Sequence, residues 1–226
     1  MTRETPIVSL TAGALLFDLD GVLVDSTPSV IRAWSAWARR VGLEPAEVLA
    51  TVHGRRAIDT IRALRPALDP DVELAGLVAD ETTDNADVVE IAGARALVDA
   101  LPPGSWAIVT SGLRAVATAR LVAAGVPIPP VMVTAESIVH GKPDPECYLL
   151  GAAELALSPS RCVVVEDAPA GAAAARAAGM RLVAVTSTHD AAALEPADLI
   201  VPDLAHLHVL VANGAGRPRL EIAPRR

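Results

Sequence analysis

Two carboxylates, Asp18 and Asp20, stand at the end of an apolar run, Ala14–Phe17, and Gly21 follows at once. A buried strand that ends on two acids this close carries a repulsion that a bound cation relieves. A hard divalent ion such as Mg²⁺ takes oxygen ligands and keeps positions open for phosphate oxygens. Gly21 allows the chain to turn where a side chain would clash. Residues 14–26, ALLFDLDGVLVDS, therefore read as a strand that brings a carboxylate nucleophile, a metal site and a second acid to one point. Taken alone, the pair also fits a turn in which both acids cap backbone donors.

Three further clusters bear on that choice. Thr110-Ser111-Gly112 closes the apolar run Trp106–Thr110, with a helix expected to start at Leu113 or Arg114. The free N–H groups and dipole of a helix start favour a phosphate, and Ser111 adds a hydroxyl, although a serine there also serves as an ordinary N-cap. Gly141-Lys142-Pro143-Asp144-Pro145 fixes a lysine in a stiff loop before another helix. Its compact cation suits a phosphate oxygen or the bracing of two carboxylates. Val163–Val165 runs straight into Glu166 and Asp167. Asp167 is expected as a direct metal ligand, and Glu166 as a group that acts through water or pairs with Lys142. A nucleophile, a metal cage, a hydroxyl and a lysine form the inventory of phosphoryl transfer, where positioning and charge neutralisation do most of the catalysis. A carboxylate nucleophile can split the reaction into two steps through an acyl phosphate.

The elements that must hold these groups follow from the apolar pattern. Short aliphatic runs at Ala14–Asp18, Trp106–Thr110, Val131–Thr134, Cys162–Glu166, Leu182–Val185 and Leu199–Val201 read as buried parallel strands. Alanine-rich helical stretches lie between them, at Arg114–Ala124, Pro145–Ala156 and Gly171–Ala178. The alternation predicts an α/β fold with a Rossmann-like parallel sheet and a ligand site beyond the carboxyl ends of its strands. Residues 27–91 break the alternation. Pro28–Val41, Pro45–Thr51, Ala57–Leu64 and Val72–Asp87 are helical in pattern, which predicts an inserted α-helical cap domain between two stretches of core, 1–26 and 92–226. Near the end, Val209–Ala212 and Arg219–Ile222 flank Asn213-Gly214-Ala215-Gly216, a hairpin signal.

Composition narrows the partners. The chain has 226 residues, 52% of them hydrophobic but only 2% aromatic, so aliphatic side chains and alanine must fill the core. A net charge of −8 argues against nucleic acid or an anionic membrane as partner, and positive charge for a phosphate must be gathered locally. No apolar run reaches the roughly 18–20 residues of a spanning helix, and MTRETPIVSL lacks the apolar core of a signal peptide. The two cysteines, Cys147 and Cys162, are too few for a disulfide framework or a zinc site, so a cytoplasmic protein is expected.

In this order and at these spacings, DLDGVLVDS, TSG, GKPDP and VVVEDAPAG resemble the four motifs of the haloacid-dehalogenase (HAD) superfamily. The insert after the first motif is similar to the helical cap of its subfamily I. WAIVTSG, GKPDPECYLLGA and the cap stretch VHGRRAI look like the sugar-phosphatase branch of that superfamily. The resemblance implies a Mg²⁺-dependent phosphatase of small sugar or polyol phosphates, and a monomer suits a cap that must open and close. It assigns phosphorus attack to Asp18 and proton transfer to Asp20. It assigns the metal to Asp18, the Asp20 carbonyl and Asp167, with Glu166 beside them. Ser111 and Lys142 would hold the phosphoryl oxygens, helped by main-chain groups of Leu19, Gly21 and Gly112. His53, Gly54 and Arg56 of the cap would meet the substrate. The alternatives within the same fold are a glycerol-phosphate or 2-deoxyglucose-6-phosphate phosphatase and a β-phosphoglucomutase-like phosphotransferase. The mutase reading is weakened by Ala57, which stands where an ungapped alignment to the mutase cap loop would place arginine.

Overall fold

The computed structural model describes residues 9–212 and 218–225. Six of the described strands form one parallel sheet: β2 (Ala14–Phe17), β5 (Trp106–Val109), β6 (Met132–Val133), β7 (Cys162–Glu166), β8 (Arg181–Val185) and β9 (Leu199–Val201). Their order across the sheet is β6-β5-β2-β7-β8-β9. The chain leaves central β2 for β5 on one side and later returns to β7 on the other. That reversal opens a crevice at the carboxyl ends of β5, β2 and β7. In register, Phe17 pairs with Ile108 on one flank and Val165 on the other, so Asp18 emerges level with the ends of both neighbours.

Strand periodicity splits the core in two. Leu15 and Phe17 face one side of the sheet with Ile108, Val163 and Val165, whereas Ala14 and Leu16 face the other with Ala107, Val109 and Val164. Phe17 is wholly buried and meets Trp106 edge-on, with ring centroids 6.2 Å apart. Helices α5 (Ala94–Ala100), α6 (Arg114–Ala124), α7 (Glu146–Glu154) and α8 (Pro169–Ala177) complete the α/β alternation. The short strand β1 (Leu10–Ala12) joins β10 (Leu207–Ala212) and β11 (Arg219–Pro224) in an antiparallel sheet of order β1-β11-β10. The two arms of the expected hairpin are thus paired, Ala212 opposite Arg219. Its expected turn, Asn213–Gly216, lies outside the described residues.

Four helices fill the break in the alternation: α1 (Thr27–Arg40), α2 (Pro45–Val52), α3 (Ala57–Leu64) and α4 (Pro70–Thr83). They share a separate apolar cluster built on Trp34, Trp37, Val48, Ile61 and Leu77. The last helix is shifted from the expected Val72–Asp87. Asp69 caps it by accepting from the N–H groups of Asp71 and Val72, and Pro70 starts its first turn. Beyond its end, Asp84 and Asp87 are both held by Arg32 of α1. The two chain crossings between insert and core are clipped together by a small antiparallel pair, β3 (Val24–Asp25) with β4 (Val89–Glu90).

Because Phe17 sits at the middle of the sheet just below Asp18, Phe17→Ala is expected to lower stability by about 3–5 kcal/mol, read as a lower midpoint in urea unfolding. A loss under about 1 kcal/mol would contradict the central packing role given to this ring.

Candidate active site

Asp18 leaves β2 with its N–H donated to Val165 O and its carboxylate buried. Lys142, from the loop before α7, places its ammonium 3.1 Å from Asp18 Oδ1 and 2.8 Å from Glu166 Oε1, and donates to Val109 O at 3.3 Å. All three N–H directions are engaged, so the lysine braces the two acids, and any phosphoryl contact must replace one of these partners. Glu166 is saturated as well. Its Oε1 accepts from Lys142 and from Tyr148 at 3.0 Å, and its Oε2 accepts from the main-chain N–H groups of Asp167 and Ala168, both at 2.8 Å. The close approach of α8 requires Gly171, since a Cβ there would overlap the Glu166 carboxylate.

Asp167 completes the cluster. Ligand atoms of Asp18, Glu166 and Asp167, all buried, lie within 4.8 Å of one another. Oδ2 of Asp167 is 3.0 Å from His53 Nε2 and also accepts from Thr188, whereas its Oδ1 is buried without a hydrogen-bond partner. Three buried carboxylates and one ammonium leave an excess of negative charge, and burial with that crowding displaces the pKa values of the acids. Burial pushes Asp18 well above the usual carboxylate range, against the pull of Lys142, with Glu166 and Asp167 adding to the rise. Burial and Glu166 raise Asp167 in the same way, opposed by His53 and Thr188. Glu166 moves down despite its burial, held by the charge and hydrogen bond of Lys142 and by two backbone N–H groups. Burial opposes the charge on His53, yet the hydrogen bond and charge of Asp167, with Asp18 and Asp20 behind it, lift the imidazole to about 9. An all-oxygen cluster with an orphaned carboxylate oxygen fits a hard divalent cation.

Asp20 stands apart from that cluster. Its Oδ1 accepts from Ser26 Oγ at 2.6 Å and its Oδ2 pairs with Arg120 NH1 at 2.9 Å. Both carboxylate oxygens are thus engaged, which leaves the main-chain carbonyl of Asp20 for a cation. Gly21 turns the chain here at φ +80°, and a Cβ on it would overlap the Asp167 carboxylate.

Several expected phosphate donors are otherwise engaged. The Gly21 N–H is donated to Val24 O, and the Gly112 N–H to Thr110 Oγ1. At the start of α6, the Arg114 N–H is taken by the Glu136 carboxylate, so this helix end is capped by an acid rather than open to an anion. Leu19 buries its side chain completely, which leaves only its main chain to offer. Ser111 Oγ donates to Gly54 O at 3.0 Å, across to the insert. Arg56, expected to reach a substrate, spends Nε and NH2 on Asp59 and NH1 on Ile138 O, because Asp59 lies one turn along α3 and captures the fork. Arg55 is the exposed neighbour on the cavity wall.

The cavity between insert and core is about 880 Å³. Asp18, Asp20, Ser111 and Gly112 line it from the core, and His53, Gly54, Arg55 and Arg56 from the insert. Sequence reasoning missed Ser26, Glu81, Arg120, Thr188 and His189, which also line it. The ring of His189 lies 5.4 Å from that of His53. Arg120 and Glu81 did leave a signal: each occupies a position where helical spacing calls for an apolar side chain, after Val116 and Ala117 in one helix and Leu74 and Leu77 in the other.

A family match to haloacid dehalogenase-like hydrolases spans residues 12–179. The chain belongs to the haloacid dehalogenase-like hydrolase family. The hexitol phosphatase A of Escherichia coli (strain K12) is 48% identical over 199 residues, which cover 86% of this chain and 92% of that protein. The 2-deoxyglucose-6-phosphate phosphatase 1 of Saccharomyces cerevisiae is 34% identical, covering 93% and 95%. A hydrolase crystal structure from Pseudomonas syringae superposes with a TM-score of 0.75 at 23% identity, covering 84% of this chain and 94% of that one, and shares the fold. The family match covers all three strand ends that carry Asp18, Ser111 and the Glu166–Asp167 pair.

If Asp167 Oδ1 is a cation ligand, Mg²⁺ at 100 times its Kd is expected to stabilise the wild type by about 2.7 kcal/mol, seen as a rise in Tm. Asp167→Asn is expected to lose most of that Mg²⁺-dependent rise in a thermal-shift titration. An undiminished rise would remove Asp167 from the ligand set.

Proposed function

We propose that this protein is a Mg²⁺-dependent phosphatase of small sugar or polyol phosphates, working through a phospho-aspartate on Asp18. The observation that carries the reading is the buried cluster of Asp18, Glu166 and Asp167 beside Lys142, which meets the cavity between core and insert at Asp18. The names of its relatives, phosphatases of hexitol and deoxyglucose phosphates, support the substrate class. A cavity of about 880 Å³ has room for a phosphorylated sugar.

In this reading Asp18, the Asp20 carbonyl and Asp167 hold Mg²⁺, which offsets the charge of the phosphoryl group when bound. Lys142 and Glu166 fix the Asp18 carboxylate so that one oxygen can approach phosphorus. As the P–O bond to the sugar breaks, the Asp20 carboxyl gives its proton to the departing oxygen. The Asp20 carboxylate then takes a proton from the water that attacks phosphorus, which frees phosphate and restores Asp18. Ser111, with Leu19 and Gly112, contacts the phosphoryl oxygens by turning its hydroxyl from Gly54 O to the substrate while the insert stays docked. Residues 27–91 act as the cap. His53 and Gly54 shield the site from bulk water when docked, and Arg56 latches the loop to Ile138 O. The site is complete within one chain, which suits a monomer. Two buried free cysteines suit the reducing cytoplasm. Among the described residues no helix is long and apolar enough to cross a membrane.

A phosphate-release screen over hexitol, hexose, pentose and glycerol phosphates with Mg²⁺ tests the reading. The expected result is turnover of several members, abolished by chelator and lowered about 10³-fold or more by Asp18→Asn with folding intact. Full activity in Asp18→Asn would exclude Asp18 as the nucleophile. Conversion of β-glucose 1-phosphate to glucose 6-phosphate without phosphate release would exclude the hydrolytic reading.

A further inference from the structure

Asp20 is held by a chain of charges that crosses from the core into the insert. Arg120, on α6, lies buried with NH1 2.9 Å from Asp20 Oδ2 and NH2 2.9 Å from Glu81 Oε1. Glu81 belongs to α4, so one end of the chain is carried by the insert and the other by the loop after β2. Ser26 Oγ, at the entrance to α1, takes the second oxygen of Asp20. All four residues face the cavity. The side chain of Arg120 is only 4% exposed, and that of Glu81 only 11%.

Such a placement is poorly explained by stability alone. A buried ion pair gives back in attraction little more than its desolvation removes, so apolar residues would pack these two helix faces at least as well. What the guanidinium adds is direction. Its planar fork presents N–H groups at fixed angles, and here it fixes one carboxylate by reference to the other. Arg120 Nε finds no partner, so the fork's orientation rests on the two carboxylates. With one donor on each oxygen, Asp20 keeps its remaining lone-pair sites for proton exchange.

We propose that Arg120 is a positioning residue for the Asp20 carboxyl, and that Glu81 sets Arg120 so that Asp20 is correctly aimed only while the insert is docked on the core. The inference rests on the phosphatase reading and extends it: the proton donor is assembled by the same movement that closes the cavity. When the insert swings away, Glu81 leaves with it, and the Arg120 fork loses the reference that aims Asp20.

The test compares kcat/KM for a hexitol 6-phosphate with kcat/KM for 4-nitrophenyl phosphate at saturating Mg²⁺. The alkoxide needs a proton to leave, whereas the nitrophenolate does not. Both constants report steps up to the first P–O cleavage, so the shared second step drops out. Arg120→Met is expected to lower the hexitol-to-aryl ratio about 30-fold and Glu81→Gln about 5- to 10-fold, while Arg120→Lys regains most of the ratio. Circular dichroism and Tm accompany each variant. If Arg120→Met does not fold, Glu81→Gln and Arg120→Lys decide. Equal losses on both substrates, or an unchanged ratio in Glu81→Gln, would overturn the proposal while leaving the phosphatase reading standing. A wild type that releases phosphate from neither substrate would overturn both.

Discussion

One buried ammonium among three buried carboxylates sets the terms for the rest of this structure. Lys142 lies between Asp18 and Glu166 at hydrogen-bonding distance from both. Neither acid tolerates burial without it, because removing one partner of a buried pair leaves an uncompensated charge worth several kcal/mol. The surroundings are arranged to keep the lysine there. Tyr148 and two main-chain N–H groups hold Glu166 still, and Gly171 leaves room for its carboxylate. What the lysine cannot do is neutralise all three acids. The remaining negative charge, concentrated on Asp18 and Asp167 beside an unpartnered Asp167 oxygen, is the chemical demand for a cation.

The insert closes over that cluster with contacts drawn from the site itself. His53 reaches Asp167, Gly54 accepts the hydroxyl proton of Ser111, and Arg56 reaches Ile138 O. The short β3–β4 pair joins the two crossings at the base of the insert. Gly54 O and a bound phosphoryl group compete for the Ser111 hydroxyl. That competition explains why Ser111, expected to face a phosphate, is found facing the insert loop.

Much of this was readable from the sequence, for identifiable reasons. Each parallel strand is a run of aliphatic residues that stops at a polar group, and a fully buried strand has no other way to look. Asp18, Ser111 and Asp167 announce themselves because charge or hydroxyl follows such a run, and Lys142 because Gly141, Pro143 and Pro145 stiffen the loop around it. The short strands β1, β3 and β4 carry too little pattern to be read. The start of α4 was misplaced by two residues because apolar spacing was weighed above the Asp69-Pro70 start signal. Arg120 and Glu81 were passed over because a charged residue in an alanine-rich helix is ordinarily solvated. Their meaning depends on two helices far apart in sequence coming face to face. The engagement of Gly21, Gly112 and Arg114 N–H groups was equally hidden, since Val24, Thr110 and Glu136 become their partners only through tertiary structure.

The central claim is that Asp18, held by Lys142, becomes covalently phosphorylated. Its most direct test is to quench a single turnover with a sugar phosphate within milliseconds, reduce with borohydride and map the product by mass spectrometry. An acyl phosphate on Asp18 is reduced to the alcohol, so the account predicts homoserine at position 18 and only there. An unmodified Asp18 under conditions where phosphate is being released, or reduction at another carboxylate, would contradict it.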